Sequence, residues 1–342
     1  MKKLPLSALD RLFAAIAEQT ALYIPADDAK GQAQFTPWSE GLSLTSKLNT
    51  VRSAKDLFFP QVENLVNFKM SGKKIEVIEN RDPAEPFAVF GVRSCDCRSF
   101  DILDRVFLEE PADTYYRTRR ENGTVITLAC SRPAETCFCG AFGIDAADPA
   151  GDVTFWITED ALYWRANTFK GETLTAKLSL LEECDDQAVL AQQEKTRAIL
   201  SRLPLKDLDL SGFDGDHLMD WFNNPAWAEL SESCLGCGTC TFVCPTCQCY
   251  DVQDFNTNTG KEVKRFRCWD SCMYSDFTMM AHGTNRPTQK ERFRQRFMHK
   301  LVYFPSKNEG IYGCVGCGRC LQKCPIHMNI VKVAKKLKEA GK

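Results

Sequence analysis

Two stretches offset by 80 residues, "CLGCGTCTFVCP" at Cys234–Pro245 and "CVGCGRCLQKCP" at Cys314–Pro325, agree at four cysteines, two glycines and a proline. Each is a CxxCxxCxxxCP run, the spacing that holds a four-iron four-sulfur cluster. Two-residue gaps let three thiolates close around three irons, and glycine between them permits the positive φ that so tight a loop needs. The fourth cysteine, on a segment that the proline helps to start as a helix, reaches across to the other cluster. The spacing therefore assigns Cys234, Cys237, Cys240 and Cys324 to one cluster, and Cys314, Cys317, Cys320 and Cys244 to a second. Structural zinc takes CxxC units in pairs, not four cysteines in a row repeated with proline.

Further cysteines lie outside that repeat. "CSRPAETCFCG" carries Cys130, Cys137 and Cys139, and "GVRSCDC" carries Cys95 and Cys97. Between the two runs, "PTCQCYDV" and "RFRCWDSCM" add Cys247, Cys249, Cys268 and Cys272. Their CxC and CxxxC spacings fit a fourth cluster, a zinc site or buried free thiols alike. Cys184, alone in a helix-prone stretch, reads as a packed thiol.

The chain has 18 cysteines in 342 residues. A disulfide framework is the first rival to metal ligation, but such frameworks belong to short secreted domains. The opening "MKKLPLSALDRLFAA" is interrupted by Asp10 and Arg11 before the apolar core of an export signal could form. No apolar run is long enough to predict a membrane span. The expectation is a cytoplasmic, metal-ligating chain without membrane insertion. Basic and acidic residues nearly balance, 43 against 45, so the charge does not argue for a nucleic-acid partner. No glycine-rich phosphate loop follows a predicted strand, and His217, His282, His299 and His327 form no ligand-like group. Nothing predicts a substrate site in the chain itself; catalysis falls to partners.

Several elements are needed to position these cysteines. Leu6, Leu9, Leu12, Phe13 and Ile16 share one face of a helix predicted over residues 6–23, with Ser7 and Asp10 in a capping-box-like relation. "KKIEVIEN", "EPFAVFGV" and "TVITLAC" read as strands. Ile102, Leu103, Val106 and Phe107 recur at helical spacing between the last two, predicting a helix that starts near Arg98 and a βαβ unit. "VTFWITEDALYWRA" alternates on both sides of Glu159-Asp160 and reads as a hairpin. In "RPTQKERFRQRFMHKLVYF", Phe293, Phe297 and Leu301 line one face of a predicted helix. Lys290, Arg292, Arg294, Arg296 and Lys300 cover the rest as a solvated basic side or, alternatively, a docking face for an acidic partner. Ile326, Ile330, Val333 and Leu337 predict a closing helix beneath the second cluster. The fold class expected is a two-domain α+β/α/β chain. An N-terminal mixed-sheet α/β domain occupies residues 1–212 and ends in a helical linker. A ferredoxin-like 4Fe-4S dicluster domain of the bacterial-ferredoxin type, with a long insertion, occupies residues 213–342.

Taken together, "FGVRSCD", "YYRTRRENGTVITLACSRPAETCFCG", "CLGCGTCTFVCPTCQCYDV", "CWDSCM", "RPTQKERFRQRFMHK" and "CVGCGRCLQKCP" resemble a family of iron-sulfur subunits. That family is typified by the dicluster iron-sulfur subunit of anaerobic sulfite reductase and the beta subunit of cytoplasmic sulfhydrogenases, and the resemblance runs from about residue 85 to 328. It implies an electron-transfer subunit of anaerobic metabolism. Its neighbours would be a subunit carrying FAD and binding NAD(P), and a second redox subunit: a sulfite reductase, a nickel-iron hydrogenase or a heterodisulfide-reductase-like assembly. It also implies a third cluster on Cys95, Cys130, Cys137 and Cys139. The predicted strands agree, because Cys95 follows one and Cys130 ends another. If those strands are parallel neighbours, both thiols emerge at the carboxyl edge of the sheet, where such folds bind ligands. Asp96 then reads as a helix cap. A zinc-dependent structural scaffold and a free-standing polyferredoxin are the alternatives.

Overall fold

The computed structural model describes residues 1–79, 85–257 and 260–341; Asn80 and Lys342, the ends of two predicted elements, lie outside these. Its larger sheet uses β1 (Lys2–Pro5), β2 (Ala21–Asp27), β3 (Ala33–Pro37), β6 (Phe87–Arg93), β7 (Gly123–Leu128), β8 (Val153–Ile157), β9 (Ala161–Ala166) and β10 (Glu182–Glu183). Their order is β10-β1-β9-β8-β7-β6-β2-β3. The centre, β2 through β6 and β7 to β8, is parallel, and both flanks are antiparallel. β6 is buried along nearly its whole length, as a parallel strand covered on both faces must be, and its sequence FAVFGV is correspondingly apolar.

One face of this sheet packs Phe90 and Phe155 against Leu12, Phe13 and Ile16 of the helix Leu9–Ala17. The predicted helix stops there because Leu22, Tyr23, Ile24 and Pro25 suit a strand; Pro25 has no N–H to continue a helix. No side-chain cap precedes the helix, so Ser7 and Asp10 do not form a capping box. The other face packs Phe87 and Val125 against Phe58, Phe100, Leu103, Phe107 and Tyr116. Phe100, Leu103 and Phe107 come from the helix Ser94–Phe107, which joins β6 to β7 and so forms the predicted βαβ unit. It starts four residues earlier than the hydrophobic spacing suggests, which puts Cys95 and Asp96 in its first turn. The helix Gln187–Leu200 fills the polar stretch before residue 212.

Beyond it, a second core gathers Trp227, Phe293, Phe297, Leu301, Val333 and Leu337, with the cysteine loops packed on its rim. Among the described residues, the helices Gln289–Met298 and Ile330–Ala340 supply eight of its nineteen buried residues. The smaller sheet joins the two halves. Its strands β4 (Val62–Ser71), β5 (Lys74–Ile78), β11 (Tyr250–Asn256) and β12 (Glu262–Trp269) run in the order β11-β12-β4-β5, with β12 antiparallel to β4. The insertion between the cysteine runs is therefore hydrogen-bonded to residues 62–69, across the expected boundary at 212. Chemistry here is held by a mixed α/β fold with its dicluster segment at the carboxyl end.

Candidate metal centres

The first cysteine loop leaves the helix Ala226–Glu232 and turns through Gly236 and Gly238, both with φ near +70°, before the short helix Thr239–Phe242. At Gly238 a Cβ would lie 2.6 Å from the Tyr274 hydroxyl, so the loop closes only without a side chain there. Cys234, Cys237 and Cys240 line one cavity together with Cys324, and Met273, Phe293, Phe297, Met328 and Arg296 wall it. Three thiols of one run thus face the last thiol of the other. Cys237 is exposed and marks the outer rim.

Cys314, Cys317 and Cys320 form the matching loop, and the Cys244 thiol is near enough for its charge to raise the pKa of all three. The Gly316 N–H donates to Cys314 Sγ at 3.5 Å. Burial is the first cause of the raised pKa at each of these thiols, carrying Cys314 up to about 12. Such groups are neutral until a metal takes the proton's place, so ligation here releases protons.

β6 and β7 end side by side, Arg93 opposite Leu128, and this brings Cys95 and Cys130 to the carboxyl edge of the parallel strands. Cys139 responds to charge on Cys130 and Cys137, and Cys95 to charge on Cys139, so the four predicted residues share one neighbourhood. Burial raises Cys95 well above the usual thiol range and Cys139 up to about 12. Cys97 leaves the group: it packs with the Phe58 and Phe100 core on the far side of the helix. Asp96 caps nothing. It is fully buried and holds Arg319 in two bonds, Nη1 to Oδ1 at 2.5 Å and Nη2 to Oδ2 at 2.6 Å.

This upstream group abuts the second loop. Cys95 and Cys139 pack in one apolar cluster with Cys317 and Val315, and the Phe138 N–H donates to Gly316 O at 3.0 Å. A Cβ on Gly316 would sit 2.5 Å from the Phe138 carbonyl, and one on Gly318 2.7 Å from Thr136 O. The glycines of the second run are thus needed for contact with the third group as well as for the turn.

Of the insertion cysteines, Cys247, Cys249 and Cys272 come together beside Cys244. The hydrogen bond from Cys272 lowers the Cys249 pKa to about 7. Cys268 does not join them; on β12 its charged neighbours are Asp251 and Asp270. Among the described residues no three His, Cys, Asp or Glu side chains are arranged around a single metal ion.

The residues that sequence reasoning missed are cations. Arg296 and Lys300, predicted to lie on a solvated basic side, are buried, at 3% and 5% exposure. Arg296 Nη2 donates to Cys240 O at 2.7 Å, and Nη1 lies 3.5 Å from Cys247 Sγ. Lys300 Nζ donates to Thr246 Oγ1 and to Gly313 O at 2.7 and 2.8 Å. Lys55, from the amino-terminal half, donates to Cys244 O and Cys247 O at 3.2 and 2.9 Å, and sits 3.5 Å from the centre of a Trp269 ring. The signal was present: Phe293, Arg296, Phe297, Lys300 and Leu301 fall at i, i+3, i+4, i+7 and i+8, the buried stripe of a helix. A basic residue on that stripe has been placed inside.

The donor set suits iron-sulfur clusters: thiols in fours, N–H donors beside sulfur, and buried positive charge to balance an anionic group. A family model described as a 4Fe-4S dicluster domain matches residues 233–328. The chain is 36% identical over 257 residues to sulfhydrogenase 2 subunit beta of Pyrococcus furiosus, covering 74% of this chain and 74% of that relative. No solved structure matches it significantly. With the cysteine runs in place and this degree of identity, the chain belongs to the family of electron-transfer iron-sulfur subunits that includes the sulfhydrogenase beta subunit.

Proposed function

We propose that the chain is a relay with three four-iron clusters in a line. Cys95, Cys130, Cys137 and Cys139 would hold the one at the sheet edge. Cys314, Cys317, Cys320 and Cys244 would hold the middle one, and Cys234, Cys237, Cys240 and Cys324 the outer one. When bound, each cluster supplies a one-electron couple with little structural change. The observation that carries the reading is the order of contacts. Cys317 packs against Cys95 and Cys139 on one side, while Cys244 and Cys324 exchange places between the two runs on the other.

The protein's part is to bring the three groups into contact, bury Cys95, Cys139 and Cys317 where the inner two meet and leave the Cys237 rim open. We assign the chain to a multi-subunit oxidoreductase, on the strength of the relative's being a subunit beta. Its donor or acceptor on one side would be an FAD- and NAD(P)-binding subunit, and on the other a redox subunit of the sulfite reductase, nickel-iron hydrogenase or heterodisulfide-reductase kind. A cytoplasmic location fits such an assembly. Within the described residues no helix is long and apolar enough to cross a membrane.

Iron and acid-labile sulfide in anaerobically purified protein test this directly. About twelve irons per chain are expected, and a Cys137→Ser variant should lose about four of them while retaining the rest. Unchanged iron in that variant would remove the upstream group from the relay. Stoichiometric zinc without visible absorbance would reject the relay altogether.

A further inference from the structure

Lys55, from the amino-terminal half, and Arg296 and Lys300, one turn apart on the helical stretch 289–303, converge on one place. Each is at least nineteen-twentieths buried, and among the described residues none has a carboxylate within ion-pair distance. Arg296 Nε is buried and has no hydrogen-bond partner. Arg319, the other buried cation near these loops, is neutralised by Asp96. Three uncompensated buried charges are expensive unless an anion stands among them.

Their placement identifies that anion's holder. Lys300 lies in a π-helical segment, His299–Tyr303, and its Nζ reaches the residues just after the first run and just before the second. There it binds Thr246 Oγ1, itself 3.2 Å from Cys244 Sγ, and Gly313 O, immediately before Cys314. Lys55 binds the carbonyls of Cys244 and Cys247. Arg296 bridges Cys240 of the outer group and Cys247 next to the middle one.

Reduction adds one electron to a group that is already anionic, and it neither makes nor breaks a bond. Burial opposes that added negative charge, as it opposes any charge removed from water. Fixed cations oppose burial, and in a site closed to water and salt their effect is little screened. We propose that Lys55, Arg296 and Lys300 are positioning residues that raise the reduction potential of the group held by Cys244, Cys314, Cys317 and Cys320, so that the middle member of the line is not an uphill step. The inference rests on the reading of those four cysteines as cluster ligands.

The test is a redox titration of the full chain, purified anaerobically, with dithionite as reductant and EPR as readout, alongside iron per chain. Lys300→Met and Lys55→Met should keep wild-type iron and move one midpoint to more negative potential. Arg296→Gln, whose guanidinium also reaches Cys240, should move two, and Arg296→Lys should restore most of the difference. Unchanged midpoints at full iron content would overturn the proposal. Loss of iron in all three neutral variants would also overturn it, because the charges would then serve assembly and not potential. A failure of the ligand reading would show separately, as a wild-type chain with fewer than about eight irons.

Discussion

Asp96 and Arg319 meet where the amino-terminal sheet touches the second cysteine loop, each at 1–2% exposure. Arg319 Nε also donates to Thr50 O at 2.9 Å, so the guanidinium is bonded on both its edges. A buried pair adds little net stability over an apolar one, but removing one partner strands a charge, at about 3–5 kcal/mol. Asp96→Asn should therefore destabilise the chain by that amount in anaerobic denaturant unfolding. Asp96→Asn with Arg319→Met should recover much of the loss; equal losses in the single and double variants would mean that the pairing is not what Asp96 provides. From sequence, Asp96 reads as a cap because it precedes a helical pattern. Its partner lies 223 residues away, and no local spacing could have named it.

At the scale of elements, the parts legible in the sequence are those with strong periodicity or fixed spacing. β6, β7 and the helix between them follow from an apolar run, a helical repeat and a second apolar run, and β8 and β9 from alternation about a polar turn. In the smaller sheet β5 is the strand read from "KKIEVIEN", and β4, β11 and β12 are less legible. β11 is exposed along its whole length, so its Tyr250 and Val252 mark no buried face, and its pairing with β12 brings charge to charge, Asp254 to Arg265. Arg296 and Lys300 mislead because their residue type outweighs their position on the stripe. The loop Cys314–Cys320 shows the opposite case, since its spacing anticipates the glycines but not their second role. Gly316→Ala would place a side chain at φ +60° and within 2.5 Å of the Phe138 backbone, which cannot rotate away. The left-handed strain and the overpacking together should cost about 2 kcal/mol or more. Gly140→Ala, with open space around its Cβ, is the control and should change little. Unfolding midpoints of the two variants decide the matter; equal midpoints would show that the two loops do not depend on close contact.

For the whole molecule, the question is whether the dicluster segment stands alone. Its loops are tied to the amino-terminal half at many points: Asn49 Nδ2 to Cys317 O at 3.2 Å, Lys55 to Cys244 O and Cys247 O, Arg319 to Thr50 and Asp96, and Phe138 to Gly316. β12 pairs with β4, Trp269 Nε1 donates to Phe59 O at 3.1 Å, and Arg267 is buried between Glu63 and Asp113. A fragment of residues 213–342 would keep all eight cysteines of the paired runs but lose each of these partners. It would expose one edge of β12 and leave Arg267 and Arg319 without their carboxylates. The expected outcome is a fragment that aggregates or is digested rapidly, and that retains fewer than the eight irons two clusters require, whereas the full chain resists protease and keeps its iron. A fragment that is soluble, protease-resistant and carries about eight irons would show that the contacts across residue 212 only dock two finished domains. On the present geometry they are part of the site itself. The amino-terminal half supplies a third set of thiols, and it also supplies the lysine, the carboxylate and the strand edge that hold the other two in place.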